Sequence, residues 1–148
     1  MAVTATVLVL RALGLGDLLT AVPALRGLRR AHPDARIVLA TPQRLAPLAL
    51  LSGAVDEVLP TAGLGALDYS GPAPMLAVNL HGSGPQSIAD LSATGPRRLL
   101  THRHRGFPAL PGLSWRAGRH EVDRWCALLE WGGMPCRPDD SALSRPAG

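Results

Sequence analysis

Thr6-Val7-Leu8-Val9-Leu10-Arg11-Ala12-Leu13-Gly14-Leu15-Gly16-Asp17 is the stretch that decides the fold. Its first five residues form an unbroken apolar or β-branched run, suited to a strand buried on both faces. Gly14 and Gly16 then turn the chain. After Asp17, the residues Leu18, Ala21, Val22, Leu25 and Leu28 recur at helical spacing. Strand, glycine turn and helix in that order open a mononucleotide-type α/β domain. Sheets of that kind bind ligands beyond the carboxyl ends of their strands. Asp17 therefore stands at the mouth of the expected crevice.

The same alternation continues. The first helix is expected from Asp17 to about Ala31, with Pro23 inside it as a kink or an interrupted hydrogen bond. Arg36 to Ala40 reads as a second strand. Thr41 and Pro42 suit an N-cap and first helical position, opening a helix from Gln43 to Leu51. Val55 to Leu59 and Met75 to Asn79 read as strands, with a Gly/Ala/Pro-rich loop from Thr61 to Pro74 between them. A helix from Gln86 to Ala93 and a short strand from Arg97 to Thr101 follow. His120 to Trp131 is amphipathic, and Gly132-Gly133 ends it. Strands alternating with helices predict an α/β fold: a Rossmann-like parallel sheet with helices on both faces and right-handed crossovers.

A length of 148 residues suits one domain with its own core. Apolar content of 47% excludes wholesale disorder, and with aromatics at 3% the core must be aliphatic. Basic residues outnumber acidic ones 15 to 11, and every one of the fifteen is arginine. Arginine favours bidentate contact with phosphate or carboxylate. Six of the arginines fall between Gly95 and Arg119, where no acidic residue stands. Cys126 and Cys136 make no disulfide framework, so reduced thiols in a cytosolic setting are expected. The amino-terminal segment lacks a basic flank and is interrupted by Arg11 and Asp17, unlike a signal peptide. No run of about 20 apolar residues suggests a membrane span.

Several groups carry candidate chemistry, each with a plainer reading beside it. Asp17 suits a helix N-cap, and equally an ionised general base. Gly14 and Gly16 begin a dinucleotide fingerprint, but Leu19 stands where its third glycine belongs. Ala40-Thr41 stand where its acidic residue belongs. A turn that lets a substrate or phosphate approach the backbone fits better, against the plainer reading that turn geometry alone requires glycine. Asn79-Leu80-His81-Gly82-Ser83-Gly84 is a second strand-end turn, expected beside the first. His81 there is either structural or a partner for a sugar hydroxyl or phosphate.

Arg97-Arg98 and His102-Arg103-His104-Arg105 suit either a solvated basic face or an anion site. Without interleaved aromatics, nucleic acid is not an expected partner. His102, His104, His120, Cys126 and Cys136 match no zinc spacing, so no metal is expected. Trp125 is expected in the core with Val122 and Leu129. Trp131 is expected at an interface edge.

The pattern Arg11-x-x-Gly14-Leu15-Gly16-Asp17-x-Leu19-x-x-x-Pro23-Ala24-Leu25-x-x-Leu28-Arg29 resembles the start of the family 9 glycosyltransferases, the ADP-heptose:lipopolysaccharide heptosyltransferase group. Val78 to Ser83, and His120-x-Val122-Asp123-Arg124-Trp125-x-x-Leu128-Leu129, are similar to later segments of that family. The resemblance spans this chain but only the amino-terminal half of the family. It implies a two-domain GT-B enzyme. Residues 1–138 would form the Rossmann-like acceptor-side domain, and 139–148 would begin the linker to a nucleotide-sugar-binding domain.

By the same resemblance Asp17 is the catalytic base of an inverting transfer from an ADP-heptose-like nucleotide-sugar to a cell-envelope glycan or glycolipid. Gly14, Leu15 and Gly16 would admit the donor diphosphate, and His81, Gly82 and Ser83 would line the substrate site. No cofactor is implied. The implied partners are the donor, gripped through the missing half, an anionic acceptor, peripheral contact with the cytoplasmic face of the membrane, and a chain supplying the other domain. Ala12, Leu13 and Gly14 stand where heptosyltransferases often carry serine or threonine, so hydroxyl contacts to phosphate are not expected from this turn. The isolated half is expected to transfer negligibly and to expose an apolar docking patch. The competing readings are a non-catalytic module for an anionic sugar or lipid headgroup, and an unrelated nucleotide-binding domain.

Overall fold

The computed structural model describes residues 4–143. Five strands form one parallel sheet: β1 (Thr6–Leu10), β2 (Arg36–Thr41), β3 (Glu57–Pro60), β4 (Leu76–Asn79) and β5 (Leu99–Leu100). Their order is β3-β2-β1-β4-β5. The chain works outward from β1 to one edge and then crosses back to place β4 on the other side. This reversal puts the switch point between β1 and β4, where an open α/β sheet parts its loops and binds ligands. Leu10 pairs in register with Ala40 on one side and Asn79 on the other, so β1 and β4 end level and β2 runs one residue further.

Every residue of β1 is buried, as a central parallel strand requires. Val7 and Val9 face a core built with α1 (Leu15–Ala31) and α4 (Glu121–Trp131). Leu8 and Leu10 face the opposite side, with Leu91 of α3 (Pro85–Ser92) and with Leu67 and Tyr69 of the loop after β3. The two helices of the first layer approach closely at Gly27, where an added Cβ would lie 2.8 Å from Leu129 and 3.0 Å from the Pro135 carbonyl. Pro23 lies buried within α1, which continues through it.

Several boundaries differ from the sequence reading. The α1 helix starts at Leu15 with Gly14 as its cap, so Asp17 is the third helical residue and not the N-cap. Thr41 ends β2 and caps nothing, because its hydroxyl donates to the Arg11 carbonyl at 2.9 Å. The following segment is a 3-10 turn (Gln43–Leu45) leading into a short α2 (Ala46–Leu51). The third strand begins only at Glu57, and β5 is reduced to two residues that pair with Ala77 and Val78. Val122 is only half-buried, whereas Trp125, Leu128 and Leu129 are fully enclosed.

The cysteines are not the reduced thiols expected. Cys126 and Cys136 are joined in a disulfide, with Cα atoms 5.1 Å apart. Gly133 adopts φ +87°, which turns the chain back along α4 and brings position 136 to position 126. A separation of ten residues carries no periodic signal, so their pairing was hidden in the sequence. The turned-back segment is also tied to α1, because Asp140 accepts from Arg26 at 3.1 Å and from Arg30 at 2.7 Å. Of the expected linker, residues 144–148 lie outside the described residues, as do residues 1–3 of the amino-terminal segment. Among the described residues no helix is long and apolar enough to cross a membrane.

Candidate functional site at the carboxyl edge of the sheet

Arg11 organises this edge. It follows β1 directly and is 1% exposed. Its Nε donates to the Asp17 carbonyl at 3.0 Å, and its Nη1 donates to the Leu80 carbonyl at 2.6 Å. Its Nη2 reaches the Thr20 hydroxyl at 3.3 Å and Glu121 Oε2 at 3.5 Å, and lies 3.6 Å from Asp17 Oδ1. The guanidinium carbon also sits 4.8 Å from the centre of the Trp125 ring. One side chain thus ties the β1 turn, the β4 turn and the start of α4 together. Burial lowers its proton affinity, Asp17 and Glu121 oppose that shift, and a guanidinium keeps its charge regardless. Arg11 opens the family-like motif, but its role is not written in that motif. An arginine ending an otherwise apolar buried strand was the available signal.

Asp17, third in the helix, still serves its first turn. Its Oδ2 accepts the Gly14 N–H at 3.1 Å, closing the first turn as a helix-capping contact. Its side chain nevertheless remains 48% exposed. Anchored through Gly14 and faced by Arg11, the carboxylate keeps a fixed direction and an open side. The N–H groups of Leu15, Gly16 and Asp17 precede the first intrahelical bond, which Leu18 donates to Gly14.

Neither Gly14, Gly16 nor Gly82 has a positive φ, so turn geometry does not demand glycine at these positions. A Cβ at Gly16 or Gly82 would meet nothing within 4 Å, and one at Gly14 would meet only Asp17 Oδ2 at 3.7 Å. The space above these backbones is open. Leu15 and Leu19, 55% and 39% exposed and one helical turn apart, form an apolar lip beside Asp17.

The second turn stands beside the first, as expected. The Ala12 N–H donates to His81 Nδ1 at 3.3 Å, which leaves Nε2–H as the donor of the neutral ring. Burial, and then the positive charge of Arg11, push the His81 proton affinity down, so the ring is neutral near pH 7. Asn79, wholly buried, shapes this turn. Its amide donates to Ser87 at 2.9 Å and Thr101 at 3.1 Å, and its carbonyl accepts the His81 N–H at 3.0 Å. Gly82 and Ser83 follow, half-buried.

The basic segment is less uniform than its sequence implied. His102 is 2% exposed and does not belong to a solvated face. It packs edge-on to Trp115 and Trp125, at 4.9 and 5.9 Å between ring centres. Burial, with Arg124 and Arg119 adding to it, lowers its pKa to about 4. An unfolded histidine titrates near about 6.5, so between these values the unfolded chain binds the extra proton. Stability is expected to be complete above about pH 6.5 and to fall progressively toward pH 4, by on the order of 3 kcal/mol. Denaturant titrations at pH 7.5 and 4.5 check this. His102→Gln should flatten the decline, and an unchanged slope in that variant would refute the assignment.

A cavity of about 410 Å³ opens at the opposite, amino edge, lined by Thr4, Ala5, His32, Pro33, Asp34, Ala35 and Met75. It holds no fixed, ion-paired carboxylate. A groove of about 520 Å³, lined by Thr20, His120, Glu121 and Val122 among others, adjoins the Arg11 cluster at the carboxyl edge.

No family model and no curated protein sequence matches this chain. Solved structures do. A family 9 glycosyl transferase from Veillonella parvula DSM 2008 superposes with a TM-score of 0.68 at 19% identity, over 97% of this chain and 45% of that one. The E. coli heptosyltransferase WaaC with ADP-2-deoxy-2-fluoro heptose gives 0.60 at 15% identity, over 97% and 51%. WaaC with ADP gives 0.59 at 17% identity, over 97% and 49%. The chain spans about half the length of the solved structures it matches. It has a Rossmann-like α/β fold, and that fold is the fold of one half of a family 9 glycosyltransferase.

Proposed function

We propose that this chain is the acceptor-side half of an inverting glycosyltransferase, with Asp17 as its general base. The observation that carries the reading is the setting of Asp17. Its carboxylate is held by the Gly14 N–H and Arg11, half open to solvent, above backbone that glycine leaves bare. In the proposed step Asp17 takes the proton of an acceptor hydroxyl. The freed oxygen attacks the anomeric carbon from the side opposite the leaving group. The bond from that carbon to the phosphate oxygen breaks, and the nucleoside diphosphate departs with the electron pair. Gly14, Leu15 and Gly16 admit the donor phosphates to the N–H groups opening α1. Neutral His81 offers Nε2–H to a hydroxyl or phosphate oxygen, beside Gly82 and Ser83.

The donor class is taken from the WaaC structures with ADP and an ADP-heptose analogue. A cell-envelope glycan or glycolipid acceptor at the cytoplasmic face of the membrane completes the proposal. The donor is gripped by a second domain, in this protein or a partner chain. The native protein from its source cells tests this. The expected species has about twice the mass of this chain, or carries a second chain of similar size, and transfers sugar. A lone chain that neither transfers sugar nor binds a nucleotide-sugar or glycan would overturn the reading. Ligand binding indifferent to Asp17→Asn, without any transfer, would favour a non-catalytic module for an anionic sugar or lipid headgroup.

Gly16→Val separates ligand approach from turn geometry. The added side chain enters open space, so stability is expected to stay within about 0.5 kcal/mol of wild type. Sugar transfer by the complete enzyme is expected to fall at least about tenfold, because the phosphates can no longer reach the backbone. A destabilised variant with full activity would mean that glycine serves the turn alone.

A further inference from the structure

Beyond Gly133 the chain doubles back as a strap, residues 134–140, bonded to α4 through Cys136 and laid against α1. The Pro135 carbonyl and the Cys136 Cα lie over Gly27, 3.0 and 3.8 Å from where a Cβ would stand. Further along, Pro138 and Asp139 reach the carboxyl edge. There they line, with Thr20, His120 and Glu121, the groove of about 520 Å³ beside the Arg11 cluster. Thr20 and Glu121 are both partners of Arg11. The strap is thus part of the wall of a groove at the candidate site.

Little but the disulfide holds it there. Pro135 and Pro138 have no N–H to donate. Among the described residues, the strap amides that are bonded find near neighbours: Met134 donates to Leu129 at 2.9 Å and Asp140 to Arg137 at 3.0 Å. The apolar hold is Met134 and Cys136, buried against the core, and residues 137–139 beyond them are exposed. Asp140 pairs with Arg26 and Arg30 of α1, but its carboxylate is 30% exposed, and pairs so open to water hold weakly. Cys126, by contrast, stands on a helix that Trp125, Leu128 and Leu129 anchor by themselves, each wholly buried. Opening the bond therefore frees the strap and leaves the sheet and its helices packed, a local rather than a global opening.

We propose that the Cys126–Cys136 disulfide is a redox latch, opened by a dithiol, that fixes or releases the strap and with it the groove wall beside Arg11. Cys136 is the more exposed of the two cysteines, 8% against 3%, and sits on the part that moves. A thiolate of the dithiol attacks Cys136 Sγ, the Sγ–Sγ bond breaks, and Cys126 leaves as a thiolate that takes up a proton. The second thiolate of the reductant then attacks its own sulfur in the mixed disulfide, and Cys136 leaves in the same way. Two electrons pass to the protein, the two protons of the dithiol end on the two cysteines, and the dithiol becomes a disulfide. A disulfide at the cytoplasmic face of a membrane meets a reducing thiol pool, where such bonds act as transient redox sensors. Operation in the cell rests on the setting proposed above; the latch itself does not.

The purified chain tests it, with millimolar dithiothreitol and no denaturant. Intact mass after acid quenching and alkylation is expected to show both cysteines reduced while the fold persists. Hydrogen exchange at residues 136–140 should then run at least about tenfold faster, with β1 and α4 exchanging as before. The amide signals of Thr20, His120 and Glu121 should move, and those of Ala35 and Met75 should stay. The double variant Cys126→Ala, Cys136→Ala should match the reduced chain and ignore dithiothreitol. A bond that resists dithiothreitol until urea unfolds the domain would overturn the proposal, as would strap exchange equal in both states. Protection lost throughout β1 and α4 would make the bond a staple of the whole fold and overturn it equally. None of these readouts involves sugar transfer, so failure here is distinguishable from failure of the Asp17 assignment or of the cellular setting.

Discussion

Arg11→Met is expected to destabilise the fold by about 3 kcal/mol, with an unchanged dependence on denaturant concentration. Exchanging a whole buried ion pair for apolar residues can be neutral, but this substitution removes only the cation. The Leu80 carbonyl, at the end of a wholly buried residue, loses its 2.6 Å donor and gains no water. The Asp17 carbonyl and the Thr20 hydroxyl lose partners as well. Glu121 and Asp17 are less affected, because both carboxylates reach solvent. Methionine fills most of the vacated volume, so the loss comes from hydrogen bonding more than from a cavity. Arg11→Lys keeps the charge but cannot fork to three segments, and is expected to lose about half as much. Urea titration checks both. A loss below about 1 kcal/mol for Arg11→Met would mean that the edge is held by its backbone pairing alone.

Asp17→Asn is expected to reduce the kcat of sugar transfer by about a thousandfold or more, measured with the donor-binding half present. The asparagine carbonyl oxygen can still accept the Gly14 N–H, so the cap survives and stability should change by less than about 1 kcal/mol. KM for both substrates should change little, because the amide preserves the shape of the site and removes only its capacity to take a proton. A cap without chemistry predicts the reverse pattern. Asp17→Asn would then be nearly silent, and Asp17→Ala would lose about 1 kcal/mol of stability with transfer intact.

The fold was legible where the sequence was strongly periodic or strongly apolar. The buried run of β1 and the stripe from Leu18 to Leu28 place the first strand, the turn and α1 correctly. The amphipathic pattern from His120 to Trp131 does the same for α4. Boundaries failed where tertiary contacts claimed residues with a local role. Thr41 looks like a cap in sequence, but its hydroxyl is spent on the Arg11 carbonyl across two strands. The disulfide was illegible because its ring is closed by the reversal at Gly133, not by a repeat. His102 sits in a basic run, yet the bridge from His102 to Leu113 folds it beneath Trp115.

At the candidate site the sequence supplied the residues but not their coupling. Asp17, Gly14, Leu15, Gly16 and the turn from His81 to Ser83 do lie on one edge, because β1 and β4 are neighbours with level ends. What joins them is Arg11, and behind it Glu121 from a helix 110 residues away in the chain. No local pattern reports a contact over that distance. Asn79 was equally silent, since a buried amide looks in sequence like any turn residue. Its three hydrogen bonds appear only when β4, α3 and β5 are assembled.

Hydrogen–deuterium exchange tests the central claim most directly: that substrates meet at Asp17, on the carboxyl edge of the sheet. The complete enzyme, with its donor-binding half, would be compared free and with nucleotide-sugar and acceptor bound. Protection of residues 12–18 and 80–84 is the predicted result, with the amino edge unchanged. Protection confined to the amino-edge cavity around His32, Ala35 and Met75, with residues 12–18 exchanging as before, would contradict it.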